Sequence, residues 1–284
     1  MRVFRNHGSV AYDAKVVSVK TNSSMVSIWT INGRAKIPFV CGAKQRALLA
    51  YPATESNLIF RNREWFLSIM VEVPEGKPIK PVDVLGVDLG IVEIAVDSDG
   101  NKHSGAKLNK IRHRNHSLRR KLQRKGTKSA RRLLKRRSRM EQNFIRDTNH
   151  VISKRIVSLA KRTNRMIAIE NLTGIRSGIR ARKSEKIRLH GWSFGQLGTF
   201  LDYKAKLVGV PILRVDPRNT SRRCSQCGYI HEGNRKSRDS FVCKACGHAA
   251  HADENGAANI RLKGLELAGT GDFNHPNAQV SVGV

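Results

Sequence analysis

The chain has 284 residues, and its 53 lysines and arginines against 22 acidic residues give a formal net charge of +31. Such a charge repels itself unless an anionic partner neutralises it, which favours nucleic acid over an anionic membrane surface. No stretch approaches the roughly 20 apolar residues of a membrane span. The start MRVFRNHGSV lacks the apolar core of a signal peptide. The five cysteines suit a reducing compartment. We therefore expect a cytoplasmic protein that associates with nucleic acid.

Residues 1–73 predict an all-β unit. Four short alternating or apolar runs supply strands, and Asn-Gly at 32–33 supplies a turn between two of them. These runs are MVSIWTI, KIPFV, SNLIFR and EWFLSIMVEV. A small barrel or sandwich accounts for them, and we take residues 1–80 as a β-barrel domain that ends in the proline-rich linker 74–81. Cys41 lies alone in an apolar context, so we expect it in the core.

The run VLGVDLGIVEIAVDSDG, residues 84–100, predicts a strand buried on both faces, then a turn at SDGN into a short partner strand. Asp88 lies in the middle of the predicted strand. Because burying a lone carboxylate costs several kcal/mol, such a group is usually paired or bound to a metal ion. Asp88 is therefore the first candidate functional residue.

The segment 106–165 predicts a basic helical hairpin, which KGTKS at 125–129 breaks into two helices. From Lys102 to Arg165 the chain has 23 lysines and arginines and only two acids, which accounts for +21 of the net charge. The second helix carries an apolar stripe for docking on a sheet. The stripe residues are Phe144, Val151, Ile152, Ile156 and Leu159.

Charge of one sign at this density favours contact between the hairpin and a nucleic-acid backbone over a merely solvated face. The expected contact residues are Arg119, Arg120, Lys121, Arg124, Lys125, Arg131, Arg132, Lys135, Arg136 and Arg137.

Downstream of the hairpin, MIAIENL (166–172) predicts a buried strand that ends on Glu170. The further predicted elements are a helix over 193–209, a strand over 210–217 and a last helix over 253–266. With the Asp88 strand they give an α/β domain with a mixed sheet, interrupted by a cysteine-rich insert. The predicted divisions are 81–222 for the first part of this domain, 223–250 for the insert, 251–266 for the last helix and 267–284 for a disordered tail.

The insert holds CSQC at 224–227 and CKAC at 243–246, with fifteen residues between them. Each pair can form a tight turn that directs two thiolates and backbone amides at one ion, and four thiolates close a tetrahedral site. The pattern predicts structural zinc, bound by Cys224, Cys227, Cys243 and Cys246. The alternative, four free or redox-active thiols, fits poorly with the glycine after each pair. His248 and His251 lie close by but are not needed as a fifth ligand.

Three acids stand alone beside apolar neighbours, namely Asp88, Glu170 and Asp253, the last at the predicted start of the final helix. Three carboxylates brought together repel one another, and a divalent cation compensates them; oxygen ligands suit Mg²⁺ or Mn²⁺. Two such ions at a phosphate activate water and stabilise the leaving oxygen. The alternatives place Asp88 in a turn, pair Glu170 with an arginine and make Asp253 a helix cap. In a basic chain with β–α–β–α–β–α order, one metal-binding cluster is the better account.

In this order GVDLG, IAIENL, TSRRCSQCG, CKACGH and HADENGAANI resemble the TnpB family of transposon-encoded, RNA-guided nucleases, relatives of type V CRISPR effectors. The resemblance covers about residues 8–262. It implies a β-barrel wedge domain followed by an RNase H-like RuvC domain with an inserted zinc ribbon, and it makes Asp88, Glu170 and Asp253 the catalytic acids. It also implies Mg²⁺-dependent cleavage of target DNA, directed by a structured RNA derived from the transposon. The corresponding expectation for localisation is the prokaryotic cytoplasm, at the nucleoid.

Two features depart from the family pattern. Family members carry a helical recognition domain within the N-terminal barrel, whereas 87 residues precede Asp88 here, without a long helical stretch. We therefore expect RNA-directed choice of a duplex target to be weakened, with single-stranded DNA as the easier substrate. Ala252 stands where an arginine is common and Gly256 replaces an alanine, but neither change removes a carboxylate.

The leading hypothesis is a Mg²⁺- or Mn²⁺-dependent DNA endonuclease of a transposable element, guided or formerly guided by RNA, that uses two metal ions to hydrolyse phosphodiester bonds. The alternative is a nucleic-acid-binding protein without cleavage, either a relic or an RNA-guided repressor; the presence of all three acids argues against it. A ribosome-associated zinc-ribbon protein fits the charge but not the buried acids. The sequence leaves the guide RNA, the target-flanking motif and the oligomeric state open.

Overall fold

The computed structural model describes residues 7–61, 63–173, 194–237 and 239–269. The chain divides between Pro74 and Glu75 into two compact units, which are described separately. In the described part of the chain, no helix is both long and apolar enough to cross a bilayer.

The first unit consists of two three-stranded antiparallel sheets, one with strand order β1-β5-β6 and the other with order β2-β3-β4. Its elements are β1 (Val10–Asp13), β2 (Val17–Lys20), β3 (Met25–Thr30), β4 (Gly33–Pro38), the short helix α1 (Ala43–Leu48), β5 (Ala53–Arg61) and β6 (Glu64–Val71). Closure of these sheets into a barrel stays a prediction.

Two expectations for the first unit are wrong. The unit is not all β, because all six residues of α1 (AKQRAL) are strong helix formers. Cys41 is partly exposed rather than a core residue, since it lies in the connection that leads into α1. The proline-rich linker, predicted at the end of the first domain, lies almost entirely in the second unit, which begins at Glu75. There the amide of Gly76 donates to Lys206 O and that of Ile79 donates to Gly209 O.

The second unit is built on a five-stranded mixed sheet with strand order β11-β10-β7-β8-β9. The three strands β7, β10 and β11 are parallel, and β8 and β9 run antiparallel to their neighbours. The strands are β7 (Asp83–Asp88), β8 (Glu93–Asp97), β9 (Lys102–Ser104), β10 (Arg165–Glu170) and β11 (Ile212–Val215). The helices within its described residues are α2 (Ala106–Lys125), α3 (Lys128–Arg162), α4 (Phe194–Val208) and α5 (Ala252–Gly269). The cysteine-rich insert carries β12 (Ser240–Val242) paired with β13 (Ala249–His251).

The apolar run that begins at Val84 forms two strands, not one. Strand β7 ends on Asp88, so this residue lies at a strand end rather than in mid-strand. The chain then reverses, and the amide of Gly90 donates to Ile94 O. A side chain at Gly90 would place its Cβ 2.4 Å from Glu93 O, so only glycine fits this reversal. The turn could not be seen in the sequence, because the apolar pattern continues through it and only Gly90 marks it.

Both faces of the sheet are covered, which explains why β7 and β10 are apolar between their charged end residues. On one face Leu85, Val87, Ile167 and Ile169 pack against α3 and α4. On the other face the core consists of the sheet residues Val84, Met166, Ala168 and Val215 with Ile260 and Ala268 of α5.

The hairpin has the predicted break, because α2 ends at Lys125 and Thr127 caps α3 by accepting a hydrogen bond from the amide of Ala130. The predicted apolar stripe is partly wrong. Phe144 and Val151 are exposed, whereas Asn149, Ile152, Ser153, Ile156, Val157 and Ala160 form the buried face. At about 100° per residue, Phe144 lies about 120° and Val151 about 140° around the helix from the buried Ile156, so both point away from the core.

Helix α5 lies unusually close to the sheet. A Cβ on Gly86 of β7 would fall 2.3 Å from Ala257 O of α5, and one on Gly264 would fall 2.8 Å from Cβ of Ala168. The helix extends three residues beyond its predicted end, so 267–269 are helical rather than disordered. The rest of the predicted disordered tail lies outside the described residues.

Candidate metal centres and nucleic-acid interface

Two of the three candidate acids meet at one edge of the sheet. Strands β7 and β10 are parallel neighbours in which Val87 pairs with Ile169, so Asp88 and Glu170 end adjacent strands at the next position. Adjacent strands are about 4.8 Å apart, and the carboxyl ends of parallel strands share an edge. The prediction that Glu170 ends a buried strand is confirmed.

The third acid, Asp253, lies in the first turn of α5. Asp253 is the second residue of that helix, and three residues later Gly256 lies directly against Asp88. A Cβ on Gly256 would be 3.0 Å from Oδ2 of Asp88. Glycine at this position therefore leaves the carboxylate of Asp88 room that a side chain would occupy. The positive end of the α5 dipole also faces this acidic edge.

The acids repel one another in a desolvated environment. Burial raises the pKa of Asp88 to about 7, and the charges of Glu170 and Asp253 add to the rise, while Arg235 opposes it. Burial likewise raises the pKa of Glu170, against the hydrogen bond from Thr220 and the charge of Lys263. The protein therefore places negative charge where its own groups only partly compensate it, which fits a site for divalent cations.

The alternative roles of the three acids are not what the structure shows. Asp88 ends a strand instead of lying in a turn, and Glu170 accepts a hydrogen bond from the hydroxyl of Thr220 at 2.6 Å. Asp253 lies inside α5 instead of capping it, and it is the acid with an arginine partner, at 3.3 Å from Nη2 of Arg235. Within the described residues, only the cysteines bring three or more metal-ligand atoms within 4.8 Å of one another, so the carboxylates are spaced more widely than the thiols.

The four cysteines of the insert form one cluster. Sγ of Cys224 lies 3.7 Å from Sγ of Cys246, and Sγ of Cys227 lies 3.5 Å from Sγ of Cys243. A tetrahedral zinc ion with bonds of about 2.3 Å requires sulfur–sulfur distances of about 3.8 Å. The cluster therefore fits a metal ion, and the donor set of four thiols favours zinc.

Each cysteine pair forms the tight turn that its sequence predicts. Gly228 and Gly247 follow the pairs with φ of 77° and 74°, and their amides donate to the carbonyls of Cys224 and Cys243. The amide of Cys246 donates to Sγ of Cys243. This bond is the main cause that lowers the pKa of the Cys243 thiol to about 6, and the amide of Ala245 is a further one. Ala252 is buried against Cys224, Phe241 and Cys243.

Several site residues were missed from the sequence. Arg235 lies between the cysteine pairs and reaches Asp253, whereas Thr220 precedes the first pair and holds Glu170. Asn255 and Asn259 are almost fully buried in α5. Asparagine is unfavourable inside a helix unless its side chain has a specific partner. The spacing of these two asparagines in DENGAANI was the signal that could have identified them.

The predicted basic surface lies on both helices of the hairpin. Nine of the ten predicted contact residues are exposed, and Arg137 is partly buried in the groove between α2 and α3. Inside the hairpin Asn115 donates to Oε2 of Glu141 at 2.7 Å. One of the two acids in this basic segment thus joins the two helices, and the cations on their outer surfaces remain available to an anionic ligand.

Two family models match the chain. One is described as "Cas12f1-like, TNB domain" and matches residues 194–260, and the other is described as "Probable transposase" and matches residues 68–174. The chain is related to the TnpB-like and Cas12f proteins. The predicted resemblance to the TnpB family is therefore confirmed.

Curated relatives agree with this assignment. A CRISPR-associated endodeoxyribonuclease Cas12f1 of Sulfoacidibacillus thermotolerans is 31% identical over 236 residues, which are 76% of this chain and 54% of that protein. A TnpB-like protein of Methanocaldococcus jannaschii is 28% identical over 219 residues, 72% of this chain and 77% of that protein. The chain thus spans about half the length of the Cas12f1 relative.

Solved structures share the mixed α/β fold. A cryo-EM structure of a Cas12f1–sgRNA–target DNA complex superimposes with a TM-score of 0.60 at 18% identity, over 78% of this chain and 48% of that protein. A CRISPR–Cas12f ternary complex superimposes with a TM-score of 0.53 at 22% identity, over 87% of this chain and 51% of that protein.

Zinc binding can be tested on the purified protein. We expect about one equivalent of zinc in the parent protein, and none in a Cys224→Ala, Cys243→Ala double variant, because two of four ligands are lost. Cys41→Ala is the matched control, since this thiol lies outside the cluster, and it should keep its zinc. Elemental analysis after purification without chelators gives the answer. Zinc that persists in the double variant would show that the cysteines are not its ligands.

The raised pKa of Asp88 predicts a pH-dependent stability in the absence of Mg²⁺ and Mn²⁺. The carboxyl binds its proton more tightly in the folded state, with a pKa of about 7 against 3.8. Stability should therefore fall as the pH rises through this window, by up to roughly 4 kcal/mol. Asp88→Asn carries no charge, so its free energy of unfolding should exceed that of the parent at pH 8 and not at pH 4.

Urea unfolding of zinc-loaded protein, in buffer depleted of other divalent ions, measures this difference. Added Mg²⁺ should reduce the advantage of the asparagine variant at pH 8, because the cation compensates the parent's carboxylates. An equal effect of the substitution at both pH values would contradict the assigned electrostatic cause.

Proposed function

We propose that this chain is a metal-dependent endodeoxyribonuclease whose second unit is an RNase H-like, RuvC-type domain with an inserted zinc ribbon. The observation that carries the proposal is the meeting of Asp88, Glu170 and Asp253 at one edge of the sheet, where burial and mutual repulsion raise the pKa of Asp88. A protein with 53 basic and 22 acidic residues has no electrostatic need to bring three carboxylates together. Cation binding gives that arrangement a purpose.

In this proposal the three carboxylates hold two Mg²⁺ or Mn²⁺ ions. When bound, such ions supply an activated water and stabilise the charge that develops on the leaving oxygen. Thr220 keeps Oε1 of Glu170 in place and leaves the other carboxylate oxygen available for a ligand bond. Arg235 and Lys263 place positive charge near the acids, where a phosphate of the substrate would approach.

The proposed partners are target DNA and a structured guide RNA. Support comes from the exposed cations of the α2–α3 hairpin and from the relatives, which include CRISPR-associated endodeoxyribonucleases. The solved Cas12f1 structure with a similar fold is a complex with sgRNA and target DNA. The first unit corresponds, in this proposal, to the wedge domain.

A second candidate is nucleic-acid binding without cleavage. The ion pair between Arg235 and Asp253 favours it, because an arginine that stays in place competes with a metal ion for that carboxylate. The two candidates differ in one measurable respect, the loss of strand cleavage on removal of a single acid.

The test is a cleavage assay with Asp88→Asn. We expect the variant to lose at least about 1,000-fold in cleavage rate with Mg²⁺ or Mn²⁺, since one metal ligand is gone, while it binds nucleic acid as tightly as the parent or more tightly. Asp202→Asn is the control, because this acid forms a surface ion pair with Arg214 and should cut normally. Single-stranded, matched duplex and mismatched duplex DNA are compared. Equal cleavage by Asp88→Asn and the parent would place the reaction elsewhere.

The role of the hairpin can be tested through the salt dependence of binding. Each lost phosphate contact lowers the slope of log K against log salt by about one unit. Replacement of Arg119, Arg120, Arg131 and Arg132 by glutamine should therefore flatten the slope by several units in fluorescence-anisotropy titrations. A charge-matched variant replaces four exposed lysines of the first unit, Lys15, Lys20, Lys36 and Lys44. An equal flattening in both variants would mean that the charge acts as a diffuse field and not through the hairpin.

A further inference from the structure

Residues 216–225 lead from the end of β11 into the first cysteine pair, and hydrogen bonds tie this segment to α5 along its length. We call this segment the strap. Three α5 side chains spaced four residues apart hold its backbone. Nζ of Lys263 donates to Asp216 O at 2.8 Å and to Arg218 O at 2.6 Å, Nδ2 of Asn259 donates to Thr220 O at 2.9 Å and to Arg223 O at 2.7 Å, and Nδ2 of Asn255 donates to Arg223 O at 2.9 Å.

The side-chain amides of Asn255 and Asn259, which hold the strap, are buried, and that of Asn255 both donates and accepts a hydrogen bond. Oδ1 of Asn255 accepts a bond from the amide of Ser225 at 3.0 Å, so this asparagine grips the strap on both sides of Cys224. Asn255 and Asn259 are 1% and 0% exposed. Buried hydrogen bonds of this kind fix geometry, because a broken one leaves a desolvated polar group. The strap is therefore a rigid segment between the sheet and the cysteine cluster.

One residue of the strap contacts a candidate catalytic acid. The hydroxyl of Thr220 lies 2.6 Å from Oε1 of Glu170 and 2.8 Å from Pro217 O. A hydroxyl has a single proton, and the charged carboxylate is the stronger acceptor at the shorter distance. Thr220 is 4% exposed and its carbonyl is held by Asn259. Its side chain thus has little freedom to follow a movement of Glu170.

We propose that Thr220 is a positioning residue for Glu170, and that the strap couples zinc binding at Cys224 to divalent-cation binding at the acidic edge. This inference rests on the proposed function of the acids and names how their site is regulated. Only three residues lie between Thr220 and Cys224. One of them is Arg223, whose carbonyl accepts hydrogen bonds from both asparagines. Zinc fixes the strap at one end, the strap fixes Thr220, and Thr220 fixes one oxygen of Glu170.

Coupling of this kind is reciprocal. If zinc improves the affinity of the acidic edge for a cation, an occupied acidic edge improves the retention of zinc by the same factor. The coupling requires the Thr220 hydroxyl, whereas the folding of the ribbon requires only the cysteines and their turns. Removal of the hydroxyl should therefore abolish the coupling between the two metal centres without removing a ligand from either.

The experiment compares Thr220→Val, which loses the hydroxyl at nearly constant shape, with Thr220→Ser, which keeps it. Thr199→Val is the matched control, because the hydroxyl of Thr199 bonds within α4 to Gly195 O. Mn²⁺ affinity is measured by electron paramagnetic resonance on zinc-loaded protein, with Asp88→Asn as the reference for lost binding. We expect Thr220→Val to weaken Mn²⁺ binding by about five- to tenfold, with Thr220→Ser and Thr199→Val within about twofold of the parent.

Zinc release to a chromogenic chelator, with and without saturating Mn²⁺, gives the second measurement. Mn²⁺ should slow the release in the parent and in Thr220→Ser, and it should have no effect in Thr220→Val. Parental Mn²⁺ affinity together with parental protection of zinc in Thr220→Val would overturn the inference. If the parent itself binds no Mn²⁺ in a manner that requires Asp88, the proposed function of the acids fails first, and this outcome is distinguishable from a failure of the coupling.

Discussion

The direct contact between α5 and β7 is the constraint on which the rest of the second unit depends. Gly86 lets the helix backbone reach the sheet, where any Cβ would collide with Ala257 O at 2.3 Å. The first turn of α5 therefore lies at the carboxyl edge of β7 and β10, beside Asp88 and Glu170. The same helix carries the asparagines that hold the strap. One close approach of two backbones thus positions an acid, the strap and the entry to the cysteine cluster.

The electrostatics of the molecule are divided between two regions. Cations are concentrated on the α2–α3 hairpin, where Glu141 serves mainly to join the helices through Asn115. Acids are concentrated at the sheet edge, where they are desolvated and short of compensating charge. A polyanion and a divalent cation are the two ligands that complement such a division. In the proposed nuclease, the hairpin would hold the nucleic-acid backbone and the acidic edge would bind the metal ions.

Much of this architecture could be predicted from local patterns, and the failures have physical causes. The ends of α2 and β10, the cysteine turns and the start of α5 followed from capping residues, apolar runs and spacing. The turn after Asp88 was missed because one glycine replaces the usual cluster of turn residues. The stripe of α3 was misplaced because apolar side chains such as Val151 also occur on its exposed side. Thr220 and Arg235 could not be identified, since their roles depend on contacts between segments far apart in sequence.

The continuous course of α3 has a consequence for how the free protein behaves. The helix has 35 residues and is about 50 Å long, and its first half is a charged arm while its second half is packed in the core. Repulsion among the cations of the arm opposes the same helix that the core stabilises, so the tip opens more readily than the base. A bound polyanion removes that repulsion and adds its binding free energy to the folded state. If the polyanion is the nucleic acid of the proposed function, the arm would reach full order only when that nucleic acid binds.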